Sequence, residues 1–216
     1  MPPLAATASP RRCTRDRIRD VLVARILDGT YPAGTRLKEL ALAAEFRVSQ
    51  APVREALREL EALGLVTSER YRGTRVRAMD VDELREAYEL RATIEVRSAE
   101  LAVPCSAELL ALLRGHVNEM REQLETGDRI AYIDAALRLH RALVQASGNR
   151  VFLSTWDSFN WEVRSRIVLR RLLVGGRDLR PFFNCYARLI RRLGEGDGRD
   201  AGEALREVFN LVHEAI

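Results

Sequence analysis

The stretch that most constrains this chain is LKELALAAEFRVSQAPVREALRELEALGLV, Leu37 to Val66. It predicts a short helix, a tight turn, a second helix and the start of a strand. Ser49 is placed as an N-cap, and Pro52 falls in the first turn of the second helix, where a missing N–H costs little. Val53, Ala56, Leu57, Leu60 and Leu63 recur at helical spacing and form one apolar face. Gln50, Arg54 and Arg58, four residues apart, fall on another face and point outward. Gly64 ends the helix as a C′ glycine. Gln and Arg can each make two bonds to a purine edge, so an apolar-backed helix displaying them suits a major-groove reader. The plainer alternative is a surface helix hairpin with a solvated charged face.

The flanks bear on that choice. Thr14 is placed to cap a helix running to about Leu27, with Ile18, Val21, Leu22 and Ile26 as its apolar stripe. Asp28-Gly29 stops it, and Tyr31 to Gly34 is a turn. After the central stretch, Leu65 to Ser68 reads as a strand, Arg70 to Gly73 as a turn and Thr74 to Arg77 as a returning strand. Val76 is expected inward, Arg75 and Arg77 outward. Three helices and a basic hairpin, in that order, make a winged helix-turn-helix over residues 11–78, with the helix-turn-helix at about 38–57 and the wing at 65–77. A glycine at the hairpin tip lets backbone approach a phosphate closely. Charge follows the same division. Residues 1–78 hold 15 Arg/Lys and 9 Asp/Glu, a net of +6, and the remainder a net of −2, within a total of +4. A basic first third on a near-neutral body suits a polyanion-binding head and a body with another task. Of the 35 basic residues only Lys38 is a lysine, so arginine abundance in itself says little about phosphate.

Four blocks in order carry a resemblance: Gly29 to Leu37 (GTYPAGTRL), Val48 to Leu57 (VSQAPVREAL), Glu61 to Val66 (EALGLV) and Arg72-Gly73. Together they closely resemble the GntR family of bacterial transcription regulators. The resemblance implies DNA contacts from the turn serine, the residue after it, the arginine of Pro-Val-Arg-Glu and the wing tip. These are Ser49, Gln50, Arg54, Arg72 and Gly73 here. Arg58 either contacts phosphate or lies on a solvated face. Three positions depart from the family pattern. Gln50 stands where Arg is common, Leu40 where a basic residue is frequent, and Arg47 where glycine is usual. Gln favours adenine where Arg favours guanine, so the operator is expected to differ at that position. Glu55 is a candidate to orient neighbouring arginines, and Glu59 is expected to be plain surface.

From residue 79 the pattern is helical throughout. A link at about 79–83 leads into a helical domain over 84–216. Helices are expected at Asp82 to Val103, Ser106 to Thr126, Ile130 to Ala146, Val151 to Leu173, Phe182 to Leu193 and Asp200 to Ile216. Leu84, Ala87, Leu90, Ile94 and Leu101 mark the apolar face of the first. Short glycine-marked loops imply an antiparallel bundle of six to seven helices, so the chain is mostly α. Trp156, Phe159 and Trp161 cannot all face the core of one continuous helix. No nucleotide-binding glycine signature and no nucleophile elbow is present, and one isolated histidine offers little catalysis; the chain is not expected to be an enzyme.

Leu90 to Glu95, His140 to Asn149, and Ala187 to Asp197 followed by Ala204 to Glu207 resemble the FCD domain of the FadR-type branch of the same family. That resemblance implies a homodimer and a small-molecule effector, commonly a carboxylate, inside the bundle. Many such domains hold a divalent metal on one Asp and three His. The matching positions here are Ala136, His140, Tyr186 and Val208, so no metal and no other cofactor is expected. Arg91 and Glu95, four apart on one helix face, join His140 and Tyr186 as candidates to bind an anionic or hydroxylated effector such as a carboxylate or sugar acid. Alternatively the four satisfy one another as a structural network.

Composition limits the remaining possibilities. With 47% hydrophobic and 31% charged residues the chain reads as soluble and globular, with a disordered tail at 1–10. No run approaches the roughly 18 apolar residues of a membrane span, and the N-terminus lacks a secretory core. Cys13, Cys105 and Cys185 are far apart and read as free thiols in the cytoplasm. The leading expectation is a homodimeric regulator, a repressor, that binds double-stranded DNA at an inverted repeat and answers to a small metabolite. The alternative is a small-molecule sensor or helical interaction protein without specific DNA readout.

Overall fold

The computed structural model describes residues 14–69, 72–78, 80–159 and 161–216. The tail at 1–10, Cys13, the turn residues Arg70 and Tyr71, and Met79 lie outside them. The chain divides into two compact units, residues 1–79 and 80–216.

The first unit holds three helices and a three-stranded antiparallel sheet. The helices are α1 (Thr14–Leu27), α2 (Glu39–Phe46) and α3 (Gln50–Ala62). The strands are β1 (Arg36–Leu37), β2 (Val66–Glu69) and β3 (Gly73–Val76), in the order β1-β3-β2. Val53, Ala56, Leu57 and Leu60 of α3 are buried, with Ile18 and Leu22 of α1 and Leu42 of α2. Leu65, Val66 and Val76 close the core from the sheet side. Each apolar residue of this unit removes surface from water at roughly 25 cal/mol per Å², which is what holds so small a unit together.

Several expectations are corrected here. Thr14 is itself helical, and Val21 faces solvent, because the inward stripe of α1 is the narrower one formed by Ile18 and Leu22. Leu37 belongs to a strand, not a helix. Arg36 and Leu37 pair with Arg75 and Thr74, and a two-residue strand has no periodicity to betray it. Leu63 is only half-buried because it is the C-cap residue of α3, already turning away; Gly64 beyond it has φ 71°. Glu59 is not plain surface. Its carboxylate is 2.9 Å from Arg15 Nε and 3.1 Å from Arg19 Nη1, tying α3 to α1.

The second unit is a bundle of seven helices: α4 (Val81–Leu101), α5 (Ala107–Thr126), α6 (Arg129–Ala146), α7 (Arg150–Ser158), α8 (Trp161–Val174), α9 (Arg180–Glu195) and α10 (Gly198–His213). α10 packs on α4 and α9, α5 on α6 and α9, and α6 on α4, α7 and α8. Asp80, Ser106, Asp128, Asn149 and Asp197 cap five of these helices through their side chains. The Asp80 cap starts α4 at Val81, so residues 81–83 are helix, not link. The single helix expected over 151–173 is two, α7 and α8. The break after Ser158 rotates the second away from the first. All three aromatics therefore gather, with Phe159 stacked on Trp161 at 5.2 Å and Trp156 at 6.3 Å from Trp161. On α4, Leu90 and Leu101 are exposed, while Tyr88, Arg91, Glu95 and Ser98 are buried. No helix among the described residues is long and apolar enough to cross a membrane.

Candidate nucleic-acid interface and buried bundle site

α3 presents the candidate DNA face because its other side is fixed in the core. Ser49, Gln50, Arg54 and Arg58 are all exposed. Ser49 sits at the N-cap with extended backbone, yet its side chain makes no cap bond, contrary to expectation. Ser49 is exposed beside the first turn of α3, at the positive end of the helix dipole. Arg54 is held from the side. Its Nε is 3.1 Å and its Nη2 2.8 Å from Glu39 Oε2, at the first turn of α2. Glu39, not Glu55, is therefore the carboxylate that orients this arginine. Arg47 closes α2 in the left-handed region at φ 55°, where the resemblance places glycine. The tight turn is made all the same, with Val48 N–H bonding Ala43 C=O.

The wing adds a second basic surface. Arg72 is 79% exposed in its side chain and lies 3.2 Å from Glu69. Gly73 has φ 81°, and a side chain there would meet Arg36 Nε at 3.3 Å. Arg36 lies directly across the sheet from Arg75, and both are exposed. Two like charges in register repel unless something anionic lies between them. Arg36 is thus a wing residue that the sequence reading missed, since only the pairing of β1 brings it there. Arg77 is half-buried, not outward.

The bundle unit gathers all four candidate effector residues. Arg91 Nε is 2.7 Å from Glu95 Oε1, and both side chains are buried. His140 Nδ1 meets Glu95 Oε2, and His140 Nε2 is 2.9 Å from the Tyr186 hydroxyl. Three residues join them that sequence reasoning did not single out for this role. Trp156 Nε1 donates to Glu95 Oε1, Arg91 Nη1 donates to Ser165 Oγ at 3.2 Å, and Tyr88 Oη is 3.1 Å from the same oxygen. The Arg91 guanidinium also lies over the rings of Trp161, Tyr88 and Phe209, at 4.9, 5.4 and 5.7 Å. Five helices, α4, α6, α7, α8 and α9, each contribute a hydrogen-bonding partner.

The electrostatics follow from this packing. Burial by itself raises the Glu95 pKa; the Arg91 charge and the hydrogen bonds from His140 and Arg91 outweigh it and bring the carboxyl down to about 2. Burial lowers the His140 pKa, opposed by Glu95 and reinforced by Arg91. The arrangement that uses every atom is a neutral imidazole. Nδ1–H donates to Glu95, and Nε2 accepts from the Tyr186 hydroxyl. Burial also raises Tyr186 well above the ordinary phenol value.

Ala136, His140, Tyr186 and Val208, the positions at which the resemblance places metal ligands, do converge. They line one cavity of about 50 Å³, alongside Arg91 and Tyr132. Ala136 and Val208 have no donor atom, and both imidazole nitrogens of His140 are engaged, so the set does not fit a metal. The nearby acid and imidazole that could have substituted do not: Asp134, six residues before His140, lies 3.7 Å from Arg166, and His213, five residues after Val208, is exposed. Tyr132 is a further missed residue. Its hydroxyl is buried without a hydrogen-bond partner, and it lines the cavity one turn before Ala136. The spacing Tyr132, Ala136, His140, one face of α6, is the sequence signal that could have found it.

Comparison with known proteins agrees with both halves. Residues 14–76 match the family described as "Bacterial regulatory proteins, gntR family", and residues 86–211 match the FCD domain. A "Probable D-xylose utilization operon transcriptional repressor" of Paenarthrobacter nicotinovorans is 36% identical over 166 residues, covering 75% of this chain and 74% of its own. The "Gluconate operon transcriptional repressor" of Bacillus subtilis (strain 168) is 29% identical over 206 residues, covering 93% and 84%. Among solved structures, a GntR regulator from Rhodococcus sp. RHA1 superposes with a TM-score of 0.73 at 24% identity, covering 93% of this chain and 95% of that one. E. coli McbR/YncC superposes at 0.71 with 22% identity, covering 92% and 94%. These two establish the fold.

Proposed function

The chain belongs to the gntR family of bacterial regulatory proteins and carries an FCD domain, and from that premise we propose that it is a repressor that binds an inverted-repeat operator as a homodimer. The observation that carries this reading is α3. One face is locked in the core by Val53, Ala56, Leu57 and Leu60, and the other shows Ser49, Gln50, Arg54 and Arg58 to solvent. Arg36 and Arg75 on the sheet, with Arg72 in the turn before β3, supply sequence-independent phosphate contacts, which make binding fall steeply with salt. The protein acts in the cytoplasm, where its operator lies.

The effector is a small carboxylate, of the sugar-acid class named for the gluconate relative. It enters the cavity beside Arg91, His140 and Tyr186. At about 50 Å³ that space holds a few waters, so a ligand must open it. Arg91, His140 and Tyr186 line that space, and the Arg91 charge is what draws an anionic ligand there while Glu95 stays paired behind it. The unpaired Tyr132 hydroxyl is available to a sugar hydroxyl. Effector binding and operator binding are then coupled reciprocally through the separation of the two recognition helices.

Selection from random DNA tests the core of the reading. An enriched inverted repeat, bound much more weakly as salt rises, is expected. Uniform weak binding of all sequences instead supports a sensor without specific readout, which exposed Leu40, 70% accessible where a basic residue is frequent, favours. A thermal-shift screen of carboxylates and sugar acids tests the effector half. Failure of every acid to raise the melting temperature removes that half alone.

A further inference from the structure

Glu39 is a carboxylate on a face that meets a polyanion. It lies in the first turn of α2, next to exposed Leu40, and its side chain is 32% accessible. Such a charge opposes phosphate unless it is put to use. Its recorded contact is with Arg54, and the geometry of that contact is specific. Arg54 Nε reaches Glu39 Oε1 at 3.2 Å and Oε2 at 3.1 Å, and Nη2 reaches Oε2 at 2.8 Å. The carboxylate therefore occupies the side edge of the guanidinium, the one formed by Nε and Nη2. A guanidinium is planar and carries five N–H donors. With its side edge engaged, the terminal edge formed by Nη1 and Nη2 points away from Glu39. Two parallel N–H bonds leave that edge, the arrangement that pairs with O6 and N7 of guanine.

We propose that Glu39 is the positioning residue that makes Arg54 a guanine reader and not a phosphate contact. This rests on the DNA-binding reading above. A long arginine left free samples many rotamers, and its charge is satisfied by any phosphate. An arginine braced from the side keeps one orientation, and its charge is already partly matched, which weakens its attraction to the backbone. Base discrimination rises while non-specific affinity falls. Gln50, one turn earlier on α3, then reads a neighbouring base independently.

The test uses the full-length protein, wild type and the variants Glu39→Gln, Arg54→Ala and the double variant. Each is put through selection from random DNA. Affinities are then measured by fluorescence anisotropy for the selected site and for its single-base changes. Wild type is expected to require guanine at one position per half-site. Arg54→Ala loses that requirement. Glu39→Gln, which keeps the side chain's shape, lowers the preference for guanine there by about tenfold. It leaves other positions alone and binds non-specific DNA as well as wild type or better. In the Arg54→Ala background Glu39→Gln changes the profile no further. Thermal melting confirms that each variant is folded, as an exposed pair permits. A Glu39→Gln profile identical to wild type, or one weakened equally at every base, overturns the inference, as does an Arg54→Ala variant that keeps the guanine. A wild-type protein that enriches no site overturns the regulator reading and this inference with it, a result distinct from the other two.

Discussion

Arg54 and Arg91 each present Nε to a glutamate, at 3.1 Å from Glu39 and 2.7 Å from Glu95, and there the likeness ends. Arg54 bridges two helices at the surface with its side chain about half exposed. Arg91 lies inside the bundle with 3% exposure, surrounded by aromatic rings and hydrogen-bonded to Ser165. Water screens the first pair, so it adds little to stability, and it leaves the terminal edge of the arginine open to DNA. The second pair has left water altogether. Its charges are tolerable only because each is matched, and removing one strands the other. The same pairing thus adds little to stability in one unit and holds the core together in the other, and burial decides which.

The largest effect is expected where the comparison is most extreme. Arg91→Ala leaves Glu95 buried with a lost partner, and urea denaturation should show a loss of about 3–5 kcal/mol. If the variant is as stable as wild type, the buried network is not structural and the contrast with Arg54 fails. Acidification probes the same network. Glu95 is depressed to about 2 from an ordinary value of 4.5, so its stabilisation is complete above about 4.5 and is lost as pH falls toward 2. His140 is also depressed, so below its ordinary value of 6.5 the unfolded chain takes up a proton before the folded one does. Both act in one direction. The melting temperature should begin to fall below about pH 6.5 and fall further below about 4.5, the Glu95 part alone being a loss of stability on the order of 3 kcal/mol. A melting temperature that is flat from pH 7 to pH 3.5 contradicts this.

On the surface the effects are smaller and appear in specificity. Gln50→Arg should move the base preferred at its position from adenine to guanine, with a discrimination of about 1–3 kcal/mol, and leave the fold intact. If selection returns the same site for both proteins, Gln50 does not read a base. The smallest effect belongs to Arg47. At φ 55° a side chain pays a conformational cost that glycine does not, partly offset by glycine's freedom in the unfolded chain. Arg47→Gly should therefore raise stability by about 0.5–1 kcal/mol, measured by thermal or urea unfolding. A loss instead would mean that the Arg47 side chain makes a contact worth more than the strain.

Much of this was legible beforehand. The apolar stripe of α3, the glycine after it and the alternation in the wing are local, and local periodicity survives in the sequence. The helices of the bundle were legible for the same reason, except where α7 and α8 divide without a glycine or proline to mark the break. The candidate effector set was named as four residues with two meanings, and the structure brings all four together with their polar groups engaged by one another. Ser165 and Trp156 were not assigned to that network because each comes from another helix, whereas Tyr88, three residues before Arg91 on the same face of α4, is one that spacing could have found. No spacing relates Ser165 and Trp156 to the network.

The sequence by itself determined the three helices and hairpin of the first unit, the two-part division of charge and which side chains of α3 face outward, because these depend on neighbours along the chain. Only the tertiary structure decided which carboxylate holds which arginine. Glu39 rather than Glu55 orients Arg54, Glu59 ties α3 to α1, and Arg36 reaches the wing through a strand two residues long. Ion pairs act over a few ångströms in space and carry no period in sequence, so they become visible only when the helices are packed.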